Sequence, residues 1–461
     1  MIVEQFYLAC LSQASYLVGD PASGAAVVVD PRRDVEVYLE AASAHGLRVE
    51  HVVLTHFHAD FLAGHIELRE RAGATIYLGA RAEAEYEFVP LADGDELRLS
   101  SQGVTLRVLE TPGHTPEGIS LTVYERPDAA RPHGVFTGDT LFVGDVGRPD
   151  LMASVGIGAE ELAESLYDSL HRKLLALPDE TTLYPGHGPG SACGKSLGPE
   201  TVSTIGQQRR FNYALQPMSR EAFVRLVAAG QPPAPAYFGY DARLNRKERP
   251  TLDAALAAAE RALDLEAVRR LANQGAQLLD VRDPEDFAAG HLPGSVNVGL
   301  GGRFAGWAGA VLDPLRPIVL LAPPGREGEA AVRLARVGFD RVVGHLAGGP
   351  GRALSAPGVT AGRVRRYEPR GLREALASSE PPHVLDVRAP GEHAEARIEG
   401  SQLLPLPELP GRLAEVPRGA PIVVHCRSGY RSMVAASLLA RAGHDVADLR
   451  GGILAWGAAV D

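Results

Sequence analysis

Long apolar runs, basic blocks and pairs of cysteines are what this chain of 461 residues lacks. No stretch approaches the roughly 20 apolar residues needed to cross a bilayer as a helix. At the N-terminus, MIVEQFYLAC, Glu4 stands where a secretory signal would carry Lys or Arg, so a cytoplasmic protein is expected. The formal charge of -11, with no local basic block to offset it, argues against nucleic acid or an anionic membrane as a partner. Three cysteines, Cys10, Cys193 and Cys426, are odd in number and far apart, which speaks against a disulfide framework. Each is a thiol to be judged singly. The length itself, at roughly 150 residues per domain, suggests about three domains.

What is there is densest at residues 51–65, HVVLTHFHADFLAGH. Val52, Val53 and Leu54 read as a buried strand that delivers His56, His58 and Asp60 into a loop whose alternate positions point the same way. Three ligand-type side chains in five residues after an apolar strand are a metal signal, with a solvated polar turn as the bland alternative. Before them come strands near Ser15–Val18 and Ala25–Val29, then a helix from Asp34 to about His45 ended by Gly46. After them a helix is expected at about 64–72, then strands at Thr75–Leu78, Leu97–Leu99, Val104–Leu109 and Ser120–Val123. His114 follows in a TPGHT turn, Asp139 ends the apolar run VFTGD, and His187 lies in LYPGHG after a helix over about 158–176. Each group sits just past a strand end beside glycine, which lets the backbone turn tightly toward an ion.

From residue 216 to 262 the composition changes, ending in an alanine-rich stretch at 252–263 that reads as a linking helix after the first domain. Beyond it the chain repeats. LLDVR at 278–282 matches VLDVR at 384–388, and Gly348-Gly349 matches Gly451-Gly452, so two copies of one α/β domain fill the rest.

Seven groups are candidate ligands: His56, His58, Asp60, His65, His114, Asp139 and His187. Their order, THxHxD, then His in PGHT, then GDT, then PGHG, resembles the metallo-β-lactamase fold over roughly residues 1–250. That resemblance implies an αββα sandwich with the site at one edge of its two sheets. Dinuclear hydrolases of this fold carry a histidine directly after the motif aspartate, and here Phe61 stands there with no lone pair to give. One metal is expected. His65, at a helix start, reads as a capping or outer histidine. If the metal is held by His56, His114 and Asp139, two histidines and a carboxylate leave three positions open, which suits Fe(II) binding a sulfur and O2. Zinc with a hydrolytic water competes. His58, Asp60 and His187 then act from outside the coordination sphere, orienting ligands or bound oxygen.

Phe61, GDTLFVGDVGRPDL at 138–151 and GHGPGSACGK at 186–195 are together similar to the persulfide dioxygenase branch of the fold. This resemblance implies one Fe(II) per chain on His56, His114 and Asp139, oxidising a low-molecular-weight persulfide to thiol and sulfite with four electrons from the terminal sulfur. In GRPDL, Arg148 is the expected clamp for a substrate carboxylate, with Asp150 beside it. An ion pair of Arg148 with Asp150 or Asp145 is the structural alternative. Cys193, six residues after His187 with Lys195 near it, is a candidate catalytic thiol made more acidic by the ammonium, against the alternative of a small buried cysteine.

In the second copy, Ile422–His425 reads as a strand leading into Cys426-Arg427-Ser428-Gly429-Tyr430-Arg431 and an alanine- and leucine-rich helix. Backbone N–H groups with a helix N-terminus behind them make an anion nest around the sulfur. Arg427 and Arg431 add charge, so Cys426 is a nucleophile able to carry a persulfide. The DVR strand end, this loop and GGILAW resemble a rhodanese domain over about 370–461. A cysteine phosphatase loop has five residues between Cys and Arg, whereas four stand here, and the smaller cradle suits sulfur. Aligning Ile318–Leu321 with Ile422–His425 puts Ala322 where Cys426 stands, followed by Pro323-Pro324-Gly325-Arg326. Alanine is no nucleophile and two prolines remove N–H donors, so the first copy is expected to be a silent rhodanese fold serving as spacer or docking surface.

The expected fold class is therefore α/β: an αββα sandwich at 1–250, an inactive rhodanese-like domain at 251–360 and an active one at 361–461. The order resembles bacterial persulfide dioxygenase–rhodanese fusions. The expected partners are the persulfide, O2, sulfite or thiosulfate, and further copies of the chain in a homo-oligomer. Two rivals stand beside this reading. One is a zinc thioester hydrolase of glyoxalase II type, opposed by Phe61; the other is a sulfur-relay binding module with an inactive metal domain, opposed by the retention of all three proposed ligands.

Overall fold

The β-branched runs of the first half form two six-stranded sheets in a computed structural model that describes residues 1–151, 156–231 and 233–458. The last three residues of the third expected domain, 459–461, lie outside the described residues. In the first sheet the order is Ile2–Leu8, Gln13–Asp20, Ala25–Val29, Arg48–Val53, Thr75–Gly79 and Val89–Leu91, antiparallel at the start and parallel from Ala25–Val29 onward. The second runs Ser203–Thr204, Thr182–Pro185, Gly134–Gly138, Ile119–Tyr124, Thr105–Glu110 and Glu96–Arg98.

Alternation decides which residues meet between the sheets. Val27, Val29 and Val53 of the first sheet pack with Leu106, Leu121 and Phe136 of the second in one buried cluster. Helices Glu36–Ala44 and His65–Ala72 cover the outer face of the first sheet, and helix Ala159–Asp168 with its extension covers the second through Leu166 and Leu170. Four layers, αββα, result. A strand buried along its whole length, Gln13–Asp20, is what a sheet covered on both faces requires.

One buried charge cluster closes the end of this unit onto its middle. Glu67 accepts from Arg33 at 2.9 Å and from Arg249 at 2.7 Å, with all three side chains nearly fully buried. Burial alone would raise the Glu67 carboxyl, but the two guanidiniums outweigh it and hold the group below its usual range.

Sequence and structure differ at several element bounds. The strand expected at Val52–Leu54 runs Arg48–Val53, so Leu54 already belongs to the loop, and the linking helix stops at Ala259. Strands Ile2–Leu8 and Val89–Leu91, both at sheet edges, have no clear apolar run to announce them.

The chain divides into two compact units, Met1–Leu252 with Arg336–Gly338, and Asp253–Ala335 with Phe339–Asp461. The second unit holds two five-stranded parallel sheets of the same order. The first is Ala262–Leu263, Val342–Leu346, Ile318–Leu321, Gln277–Asp280, Val296–Asn297; the second is Arg365–Tyr367, Val446–Leu449, Ile422–His425, His383–Asp386, Gln402–Leu403. Asp280 pairs with Leu321 in one and Asp386 with His425 in the other, so the next residue in each is Ala322 and Cys426. The register itself thus puts alanine where the other copy has its cysteine.

Candidate metal centre and sulfur-transfer site

His56, His58 and Asp60 lie in the loop that leaves strand Arg48–Val53; His114, Asp139 and His187 come from loops of the second sheet. All six are buried, none more than 5 % exposed. The ligand atoms of His56, His114 and Asp139 lie within 4.8 Å of one another, as do those of His58, Asp60 and His187, and those of Asp139, His187 and Cys193. The Asp139 carboxylate is the hub. Its Oδ2 is 3.8 Å from His56 Nε2, 3.5 Å from His114 Nε2 and 3.5 Å from His187 Nε2.

Tautomers follow from the partners of the other ring nitrogens. The Thr55 hydroxyl donates to Asp30 Oδ2 at 2.7 Å, so its oxygen accepts the His56 Nδ1–H at 3.0 Å. His114 Nδ1 donates to the carbonyl of Arg148 at 2.9 Å and His187 Nδ1 to that of Ser12 at 3.0 Å. All three rings therefore turn Nε2 toward Asp139, and the tautomer that these bonds select leaves that nitrogen bare. Burial, reinforced by the neighbouring His58, His114 and His187, pushes His56 well below its ordinary range, which keeps it in the neutral form a metal needs.

Among the described residues neither oxygen of Asp139 has a partner at hydrogen-bond geometry, the nearby Cys193 thiol being a neutral group that could give one. A buried carboxylate left so costs several kcal/mol, on the order of what a bound cation offsets, so the donor set fits a metal. Glycine makes the approach possible: a Cβ on Gly186 would lie 2.6 Å from Asp139 Oδ1, and Gly138 turns with φ of +46° where a Cβ would meet Thr55 Oγ1 at 2.3 Å.

Phe61 is fully buried with its ring centre 4.3 Å from that of His58, filling the place next to Asp60 with carbon. His65 is apart from these groups; it begins helix His65–Ala72 and packs against Tyr86 at 4.7 Å. Asp30 was not among the expected residues. It is buried with φ of +50°, accepts the Thr55 N–H at 2.8 Å and stands 3.0 Å from His58 Nε2. Burial opposes a charge on His58, but Asp30, Asp139 and Asp60 outweigh it and raise its pKa. The signal was present in VVVDP, another carboxylate directly past an apolar strand.

Two expectations change. Arg148 does not line the cavity at this site: its guanidinium donates to both oxygens of Asp150 at 2.7 Å and to the carbonyl of Ala192 at 3.2 Å. Asp150, two residues on, captures the fork, and it is Asp150 that reaches the cavity. The Lys195 ammonium reaches the carbonyl of Leu226 rather than Cys193, and the Cys193 thiol is pushed well up by burial and by Asp60 and Asp139.

That cavity, of about 380 Å³, opens beside His114. Phe57, Phe238 and Asp150 form part of its wall, and Arg243 and Arg246 close one side. Arg243 is exposed, and Arg246 sits with its guanidinium carbon 4.9 Å from the Phe57 ring centre. Neither arginine forms an ion pair among the described residues. Sequence reasoning missed both because they follow the proline-rich stretch taken as the domain's end.

In the second unit, Cys426 is 1 % exposed and its sulfur accepts the Gly429 N–H at 3.1 Å, with Ser432 Oγ at 3.5 Å. Gly429, with φ of +106°, turns the loop into helix Tyr430–Arg441. Arg431 is bound at 2.7 Å through both terminal nitrogens to Glu392, which leaves Arg427, exposed and without an ion pair among the described residues, as the free cation. Tyr430 donates to the carbonyl of Gly299 in the cysteine-free copy at 2.6 Å.

Comparison with known proteins locates this architecture. The sequence model of the Metallo-beta-lactamase superfamily matches residues 8–187, and that of the Rhodanese-like domain matches 264–350 and 369–459. The chain is 34 % identical to the hydroxyacylglutathione hydrolase of Methylococcus capsulatus over 47 % of its own length and 88 % of that protein. It is 28 % identical to the mitochondrial persulfide dioxygenase ETHE1 of Homo sapiens over 54 % and 88 %. A crystal structure described as a metallo-beta-lactamase from Staphylococcus aureus superposes with a TM-score of 0.66 at 31 % identity, covering 75 % of this chain and 98 % of that one.

His114→Ala removes an Nε2 from the hub and should strip the metal. Elemental analysis of the purified variant is expected to show well under a tenth of the wild-type content, and full occupancy would count against His114 as a ligand.

Proposed function

Given that the chain belongs to the metallo-beta-lactamase superfamily and carries two rhodanese-like domains behind that fold, we propose that it oxidises a low-molecular-weight persulfide with O2 at one iron held by His56, His114 and Asp139, and moves sulfane sulfur through Cys426. The reaction balances as RSSH + O2 + H2O giving RSH + H2SO3, the terminal sulfur losing four electrons. Sulfur transfer then reads Cys–S–SH + sulfite giving Cys–SH + thiosulfate, or the reverse.

The observation that carries this reading is Phe61, a buried ring directly after Asp60 at the position where dinuclear hydrolases of this fold have a histidine. Two histidines and one carboxylate leave open positions on a single ion, and iron there would supply the one-electron chemistry by which O2 reacts with sulfur. The protein does the rest. His56 and His114 turn their Nε2 atoms toward Asp139, the rings oriented by Thr55 and the Arg148 carbonyl. Phe57 and Phe238 keep the cavity beside His114 apolar, which suits a sulfur nucleophile. His58, Asp60 and His187 form the second cluster, from which a proton can be held next to substrate oxygen. At Cys426 the Gly429 N–H and the N-terminus of a three-turn helix stabilise a thiolate or persulfide anion.

The cavity also bears on the thiol. Two arginines with no carboxylate partner among the described residues, at the side of an apolar pocket, suit a carrier that is anionic away from its sulfur, through carboxylates or phosphates. A zinc thioester hydrolase is the second reading, favoured by the identity with the hydroxyacylglutathione hydrolase and opposed by Phe61.

Protein purified without O2 should hold about one iron per chain and consume O2 when given glutathione persulfide; stoichiometric zinc with no O2 uptake sinks the proposal. Cys426→Ser should abolish thiosulfate exchange and leave the O2 uptake, whereas loss of both activities would mean that the two sites do not work separately. Reversing charge in the double variant R243E/R246E should raise KM at least about tenfold for glutathione or coenzyme A persulfide while leaving a neutral alkyl persulfide nearly unchanged. An equal effect on all three in steady-state O2 kinetics would remove the anion argument.

A further inference from the structure

We infer that Asn245 is a positioning residue for the metal: its single amide holds the loop that carries His56, His58 and Asp60. Asn245 is fully buried and follows helix Phe238–Leu244 as its C-cap. Its Oδ1 accepts the Ala63 N–H at 2.9 Å, and its Nδ2 donates to the carbonyls of His58 and of Phe61, both at 2.8 Å. Its own carbonyl accepts the Tyr86 hydroxyl at 2.7 Å, and its N–H is donated to Asp241 at 2.9 Å.

The loop needs such a partner. Between strand Arg48–Val53 and helix His65–Ala72 its only regular pairing among the described residues is the single bridge of Ala63 with Arg32, yet it is buried throughout, so most of its backbone groups require bonds from elsewhere. Asn245 supplies three of them from more than 180 residues away. The His58 carbonyl follows directly on the His58 side chain and the Phe61 carbonyl lies one residue past Asp60, so the amide fixes the peptide planes on both sides of Asp60. A leucine of similar size would leave one N–H and two C=O groups buried and unpaired.

The same element is the wall of the cavity. Phe238, Gly239, Ala242 and Arg243 of this helix, and Arg246 just after Asn245, line the pocket beside His114. The segment that meets the carrier is thus the segment that pins the ligand loop, which joins carrier binding to ligand placement through one side chain. The inference rests on the metal-centre reading, but neither on iron nor on persulfide chemistry.

Asn245→Asp is the discriminating variant, since it keeps Oδ1 as an acceptor for Ala63 and sets a second oxygen against two carbonyls. Tyr86→Phe is the mild one, removing a single anchor of the Asn245 backbone. Cobalt(II) affinity of the full chain, measured by competition with a chelator, and the visible d–d spectrum of the cobalt form are the readouts. Asn245→Asp is expected to weaken cobalt binding about 10- to 100-fold and to shift the bands, the usual cost of removing a group that orients a ligand. Tyr86→Phe should move both in the same direction by about threefold or more, and decides the matter alone if the aspartate variant does not fold. Unchanged affinity and spectrum in the variants, with only a lower melting temperature, would make Asn245 an ordinary core amide and overturn the inference. Zinc in the native protein with no O2 uptake would defeat the persulfide reading and leave this series as decisive as before.

Discussion

Asp139 is buried with neither oxygen at hydrogen-bond geometry to a partner among the described residues, and three imidazole nitrogens stand 3.5–3.8 Å from one of them. A carboxylate in that state is tolerable only beside a cation, and much of the first unit is arranged to make the position available. Strand ends from both sheets meet there, glycines clear the space around it, and each histidine gives its other nitrogen to a fixed oxygen. The energy of the sandwich comes from the valine and leucine layer between the sheets; the direction of the ligands comes from a few polar atoms of Thr55, Asp30 and Asn245 just outside it. Packing gives the scaffold its stability, and these polar contacts give the site its geometry.

The second unit uses the same economy of parts twice. Both copies have five parallel strands in one order, and in both a glycine after the last strand packs where a Cβ would strike a carbonyl, Ala322 for Gly349 and Cys426 for Gly452. The fold is thus independent of the chemistry placed at its loop. Cys426 has the Gly429 N–H on its sulfur, while Ala322 is followed by Pro323 and Pro324, which have no N–H to give. The two arginines of the loop differ in their surroundings: Arg431 is held by Glu392, while Arg427 is exposed and forms no ion pair among the described residues.

What could be read from the chain beforehand was what lies close together in it. His56, His114, Asp139 and the Cys426 loop each stand directly after an apolar strand beside glycine or a turn, and the doubled DVR strand announces the repeat. What could not be read was direction and distance. Arg148 has a carboxylate two residues on, and spacing alone does not say whether the fork turns to it or to a ligand. Lys195 lies two residues from Cys193, but its long side chain reaches the Leu226 carbonyl instead. Asn245 could not be found at all from local pattern, because a lone amide after a proline-rich stretch carries no sign of the loop it will bind. Asp30 had the sign and was overlooked, since an aspartate before proline also reads as a turn.

The Tyr430 hydroxyl meets the cysteine-free copy at a backbone oxygen, that of Gly299. A main-chain carbonyl is offered by any residue that keeps the same path, so the contact places a demand on the shape of that copy and almost none on its spelling. Residues there are free to change as long as the strand before Gly299 stays in its sheet. A domain without the cysteine can in this way still make a fixed contact with the loop of the copy that has it.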